Sequence, residues 1–304
     1  MILEWFSHMY KLISLAFIAS MIYSTTFAGS LVWMDSFPYE EGTSLMKEFQ
    51  KSNPDVTGIT YINIPAAQKV ARVVQEGTMG RTTTDLILAS LAPLNKYREL
   101  GIVKGSAVSV SSIITVIAYN TEKVNESELP KTMEDLTDPK WFGRIGVWAR
   151  MADVSGLVSA WGEDKVISYV EKLAKLKPMS FKNHTAMNAA LSSGEIDIGI
   201  SSLQYAPKII EKGAPVKFIV LEPIIVVQTY AAVTLGDNPN EAKRFIEWLS
   251  SSEGAIALER ITNRGNINVP ETKTAKLIKD KIVSLDSTAN LGLETTLSRI
   301  IHGR

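Results

Sequence analysis

The chain has 304 residues, 45% hydrophobic and 21% charged, with 32 acidic and 32 basic side chains and no cysteine. Length and apolar share suffice for two domains with real cores, so the missing disulfides are no obstacle to stability. A net charge of zero, spread along the sequence, excludes the basic footprint of a nucleic-acid binder and a polybasic membrane patch. Without cysteine there is no thiolate metal site, no cysteine nucleophile and no lipidated N-terminal cysteine.

Residues 12–24, LISLAFIASMIYS, form an apolar run preceded by Lys11 and followed by Thr26-Phe27-Ala28, whose small residues suit a signal peptidase. The run is shorter than the ~20 residues of a membrane span. It is expected to be a cleaved export signal covering 1–28, with Met9 as an alternative start to Met1.

Leu31-Val32-Trp33-Met34 predicts the first strand, ending at Asp35-Ser36-Phe37-Pro38. A helix is expected over 40–51, with Leu45, Met46 and Phe49 at helical spacing and Asn53-Pro54 as its stop. A strand over 56–64, a helix from Pro65 to about Glu76, a short strand over 85–88 and a helix from Pro93 to Gly101 follow. This βαβαβα order predicts a mainly parallel sheet covered on both faces, with ligands beyond the carboxyl ends of the strands. Asp35-Ser36-Phe37 and Ala89-Ser90-Leu91 are therefore expected rim loops.

The stretch 113–148 opens with a β-branched strand (Ile113, Ile114, Val116, Ile117) and leaves it through Tyr119-Asn120-Thr121. A short helix over 133–136, capped by Thr132, stops at Asp138-Pro139 before Trp141, Gly143 and the strand 145–148. Further on, a helix over 164–175, a strand over 179–182, a helix over 186–193 closed by Gly194 and a strand over 196–200 are expected. A helix over 204–212, a strand over 216–221, a return crossing at 229–235 and helices over 240–250 and 253–260 complete the series.

Three pieces of this order resemble the solute-binding proteins of ABC importers. They are the "YN" strand exit, the run LP-T-x-x-DL-x-DPKW-x-G-x-I, and the later GEIDIGI with A-x-R-F-I-E-W-L-S-S-S-E-G. The nearest branch holds the ferric-iron, thiamine and polyamine binders. The resemblance implies a two-lobed α/β fold of the type 2 periplasmic-binding class, each lobe a mainly parallel sheet flanked by helices, joined by a two-strand hinge. Lobe 1 is expected to comprise 29–117 and 232–304, and lobe 2 to comprise 118–231. It further implies a monomer that captures a small molecule or ion and delivers it to a membrane permease driven by a separate ATPase. A sensor that presents its loaded form to a receptor, or an enzyme on the same bilobal fold, is the alternative from another class. Two segments are shorter than the family pattern: only about a dozen residues, 101–112, precede the hinge strand, and 150–165 is abbreviated.

Candidate ligand residues lie in the loops Asp35-Ser36-Phe37, Asn183-His184-Thr185 and Ser201-Ser202, together with Ser90, Gln204, Tyr205 and Tyr230. The three loops pair small polar side chains with predicted helix starts, where free N–H groups and the helix dipole favour anions. The same residues also serve as plain helix caps. The ferric branch of the resembling family carries two adjacent tyrosines after the strand equivalent to 196–200; here those positions read Leu203 and Gln204, with one Tyr205 next. The family's histidine on the first mature strand is also missing, so ferric coordination by the family's ligand set is not expected, and a ferric binder with non-standard ligands is the alternative. Trp33, Phe37, Trp148, Trp161 and Tyr230 are candidates for stacking on an organic solute, whereas Trp141 and Trp248 read as core. Asp153, Glu163 and Asp164 read as solvated surface carboxylates. The sequence holds no GxSxG, HExxH, Walker or GxGxxG motif, and so no expected catalytic pair or cofactor.

Overall fold

A computed structural model of the protein describes residues 29–285 and 291–303. The expected export signal lies outside the described residues. The chain begins with β1 (Gly29–Asp35), α1 (Tyr39–Ser52), β2 (Val56–Asn63), α2 (Ala66–Thr78), β3 (Leu86–Ala89) and α3 (Leu91–Glu99). The long strand β4 (Lys104–Asn120) follows, then three 3-10 turns at Glu126–Glu128, Glu134–Thr137 and Pro139–Trp141. Next come β5 (Ile145–Trp148), α4 (Ala152–Ser155), α5 (Val158–Trp161), α6 (Glu163–Lys175), β6 (Met179–Phe181), α7 (His184–Ser193), β7 (Ile198–Ser202), α8 (Ala206–Ile210) and β8 (Val216–Ile219). The chain finishes with β9 (Ile224–Val233), α9 (Pro239–Ser250), α10 (Ser252–Thr262), α11 (Lys273–Ile278), β10 (Val283–Leu285) and α12 (Leu291–Ile301).

The strands share one path, β2-β1-β3-β9-β4-β7-β5-β6, with β10 beside β9 and β8 beside β4. β1 runs parallel to β2 and β3, and β5 runs parallel to β6 and β7. β4 and β9 are antiparallel to each other and belong to both halves. β4 pairs with β9 from Lys104 to Ile114, then with β7 from Thr115 to Tyr119 and with β8 from Ile117 to Asn120. These two strands form the hinge of a two-lobed α/β fold.

The hinge strand starts nine residues earlier than the apolar run at Ile113 suggests. The serine-rich segment from Gly105 to Ser112 lacks a hydrophobic signature, yet it is held extended by β9 on one edge. Its hydroxyls are used by the loop after α10: Asn268 Nδ2 donates to Ser109 Oγ at 3.2 Å, and the Ile267 N–H to Ser112 Oγ at 3.4 Å. Residues 104–112, expected to precede the hinge strand, are therefore part of it.

Each lobe has its own core. In the first, Trp33 on β1 is fully buried, with ring centroids 5.5, 5.1 and 5.4 Å from Phe37, Tyr61 and Phe245. The second is built around Trp141, Val147, Val166, Val170 and Leu173. Full burial of one such aliphatic or aromatic side chain is worth about 1.5–3 kcal/mol. Leu293 and Leu297 of α12 belong to this second core, and the helix packs on α6. That placement corrects the assignment of all of 232–304 to lobe 1: the last helix returns to the second lobe, because its apolar stripe completes the face of α6. Helix α12, α11 and β10 carried no distinct sequence signal. Among the described residues, no helix is long and apolar enough to cross a membrane.

Candidate ligand site where the second-lobe strands end

β5, β6 and β7 are parallel, so their carboxyl ends at Trp148, Phe181 and Ser202 lie on one edge of the lobe. Each strand exit then delivers one polar group. After β5, Met151 takes the left-handed conformation (φ 57°) and turns the chain into α4, which carries Asp153. After β6, Asn183 caps α7: its Oδ1 accepts from the Ala186 N–H at 2.9 Å, fixing His184 as the first helical residue. After β7, Gln204 and Tyr205 precede α8.

These groups meet around the imidazole. The His184 ring lies between Tyr205 (centroids 4.9 Å apart, planes 23° apart) and Trp148 (5.1 Å, 49°). His184 Nε2 stands 3.3 Å from Asp153 Oδ2, an ion-pair distance without a directed hydrogen bond. Thr115 on the hinge strand donates to the Asp153 carbonyl at 3.3 Å, tying the carboxylate's loop to β4. Asn188, one helical turn beyond His184, accepts from Ser201 Oγ at 3.5 Å.

Four buried polar atoms in this neighbourhood have no hydrogen-bond partner among the described residues: Asp153 Oδ2, His184 Nδ1, Ser202 Oγ and Gln204 Oε1. Leaving one such group unsatisfied costs about 1–3 kcal/mol. All four belong to residues at or shortly after the ends of β5, β6 and β7.

Burial pushes the Asp153 carboxyl above the ordinary carboxylate range; His184 and Arg150 oppose the shift and Glu294 adds to it. The folded state therefore holds this proton more tightly than the unfolded chain. The resulting stabilisation is full below about pH 3.9 and is lost as pH rises through the folded value. Asp153→Asn removes the ionisation, so urea denaturation across a pH series should show the variant gaining on the parent as pH rises. Parallel stability profiles would contradict this.

The facing lobe presents a different picture. Asp35 is 2% exposed and accepts from Lys69 Nζ at 2.9 Å, while the same ammonium donates to the Leu88 carbonyl at 2.8 Å. The Ser36 N–H donates to Asp35 Oδ1 at 2.6 Å, and Phe37 is sealed in the aromatic core beneath the Arg264 guanidinium. Trp33 and Phe37 are thus core rings rather than stacking surfaces. Ser90 is half-buried at the N-terminus of α3 without a side-chain cap bond. Tyr230, on β9, donates its hydroxyl to Gln228 Oε1 at 2.9 Å. The two rims approach where Lys208 of α8 meets Glu41 of α1, Nζ to Oε1, at 2.5 Å.

Of the expected residues, the structure gathers His184, Ser202, Gln204 and Tyr205 at one place, with Asn183 and Ser201 as supports. Thr185 is exposed beside them. Ser201 and Ser202 are not a loop at a helix start: they are the last residues of β7, fully buried. Asp153, read as a surface carboxylate, is 7% exposed and central, while Glu163 and Asp164 are exposed. Thr115 and Asn188 were missed. Asn188 had a signal, since it falls four residues after His184 on one helix face; Thr115 had none.

A family model described as "Bacterial extracellular solute-binding protein" matches residues 70–285. The chain belongs to this family. An Fe(3+)-binding periplasmic protein of Serratia marcescens is 23% identical over 282 residues, 83% of this chain and 80% of that protein. Iron-bound HitA from Pseudomonas aeruginosa superposes with a TM-score of 0.72 at 19% identity, over 90% of this chain and 99% of that one. AfuA from Actinobacillus pleuropneumoniae, solved with fructose-6-phosphate, superposes at 0.65 and 20% identity, over 90% and 97%. At these identities the solved structures establish the periplasmic-binding fold. Membership of the extracellular solute-binding family accords with the two lobes and the shared strands β4 and β9.

Proposed function

We propose that this protein is the exported solute receptor of an ABC import system, closing its lobes on a small solute and handing it to a membrane permease powered by a separate ATPase. The observation that carries this reading is the set of four unsatisfied buried polar atoms at the second-lobe strand ends, beside the Lys208–Glu41 contact between the lobes. Solute binding there shifts the open–closed equilibrium by contacts available only when both rims meet. Asp153, His184, Ser202 and Gln204 hold the solute, and Tyr205 and Trp148 orient the imidazole.

The donor set is one carboxylate, one imidazole, one amide and one hydroxyl. It suits hydrogen bonding to a chelated metal, an oxyanion or a small polar organic molecule better than the anionic oxygen cage a bare trivalent cation prefers. A second reading, ferric ion held with non-standard ligands, is supported by Tyr205 at the site and by the likeness to iron-bound HitA and to the Fe(3+)-binding protein of Serratia marcescens.

A thermal-shift screen of residues 29–304 tests both. Ferric citrate, free ferric ion, phosphate, sulfate, thiamine, polyamines and small sugars form the panel. A ligand at a hundred times its dissociation constant adds about 2.7 kcal/mol of stability, read as a raised melting point. A shift that Gln204→Ala abolishes supports the site. A shift from ferric ion alone selects the second reading, and a panel that never shifts the parent protein counts against both.

A further inference from the structure

We propose a second, oxyanion-binding site on the second lobe, formed by Arg150 in the turn after β5 and by Arg299 of α12. A surface cavity of about 430 Å³ is lined by Arg150, Glu294, Thr295, Ser298 and Arg299. The four helical residues fall at 294, 295, 298 and 299, one side of α12. Arg150 reaches the same cavity from the turn after β5.

Arg150 is held in place from two directions. Its guanidinium lies over the Trp148 ring, 5.1 Å from the centroid, and Nη2 donates to Glu294 Oε2 at 3.0 Å. A guanidinium carries several N–H donors in a rigid fork, and among the described residues Arg150 gives only this one to an acceptor. Among the described residues, Arg299 makes only a long 3.5 Å contact with Thr296 Oγ1. The cavity thus contains two guanidinium groups against one carboxylate, with most of their donors unpaired among the described residues, and Ser298 in its lining. A planar fork oriented in advance by stacking and a carboxylate loses little freedom on binding. That is the arrangement in which bidentate pairing with a carboxylate or phosphate is strongest.

The ligand is therefore an oxyanion, either free or as the acidic group of a larger solute. The site adjoins the set around His184, since Trp148 under Arg150 also packs on that imidazole, but it uses different donors and does not depend on the identity of the captured solute.

Isothermal titration of the 29–304 protein with inorganic phosphate, and separately with citrate, at constant ionic strength set by chloride, tests the proposal. The parent is expected to bind at least one of them, and Arg150→Ala/Arg299→Ala to weaken that binding at least tenfold. Both side chains are exposed, and an unchanged circular dichroism melt confirms the variant's fold. Arg299→Lys should lose less than Arg299→Ala. Phosphate binding identifies a free-anion site, and binding of citrate alone identifies a site for a solute's acid groups. Absence of binding in the parent, or binding that survives in the double variant, overturns the proposal. So does binding lost in Gln204→Ala while retained in the arginine variant, which assigns the anion to the site between the lobes.

Discussion

Replacing Lys69 with alanine is expected to destabilise the protein by about 3–5 kcal/mol, because it strands a buried carboxylate without its counter-charge. Asp35 is enclosed at the end of β1 and Lys69 sits on α2, with side chains 3% and 9% exposed. Outside the pair, the ammonium also satisfies the Leu88 carbonyl at the end of β3, so one side chain joins the ends of two neighbouring strands. Removing both charges at once, as Asp35→Leu/Lys69→Met, is expected to cost far less than the single change, since neither partner is left alone. Urea denaturation of the single and double variants measures the difference. The double variant should also keep any solute-induced thermal shift, since the pair is internal to the first lobe. A double variant that is stable but no longer responds to a solute that stabilises the parent would instead return Asp35 to the ligand site.

Trp33→Ala is the second large effect, about 3–5 kcal/mol from lost burial and the cavity left behind. Trp33 is the hub of the first lobe: Phe37, Tyr61 and Phe245 approach it from the β1 exit, from β2 and from α9. Collapse of one neighbour into the space cannot fill it from all three sides. Trp33→Phe should be much milder, because its indole N–H is buried without an acceptor and the phenyl ring brings no polar group to desolvate. Thermal melts of the two variants separate these cases. Equal losses would show that the indole's size is not what matters.

Strong periodicity made much of the fold legible. Leu45, Met46 and Phe49 mark α1, and the helix is found at Tyr39–Ser52. The run Ile145-Gly146-Val147-Trp148 is β5 without adjustment. Where local signal was weak, long-range pairing decided. The serine-rich start of β4 is extended because β9 lies along it, and β7 runs on to Ser202 because Thr115 and Val116 of β4 pair with its last residues. No window of sequence contains those partners, which lie about a hundred residues away.

The site was legible in the same uneven way. His184, Gln204 and Tyr205 follow strands, and ligands of parallel sheets sit beyond the carboxyl ends of the strands. Asp153 was misread because no residue near it in sequence marks a partner for its carboxylate, whereas its neighbours in space are His184 and the hinge strand. Phe37 was misread in the opposite sense: it follows a strand end, but the chain turns it back under Arg264 into the core.

The sequence by itself determined the family, the alternation of strands and helices, and the two-lobed plan, because these depend on local periodicity and on motifs a few residues long. Only the tertiary structure decided that Asp35 belongs to Lys69, that Asp153 belongs to His184, and that α12 closes the second lobe. Each is a contact between segments distant in the chain, set by which apolar faces pack together and which charges that packing encloses.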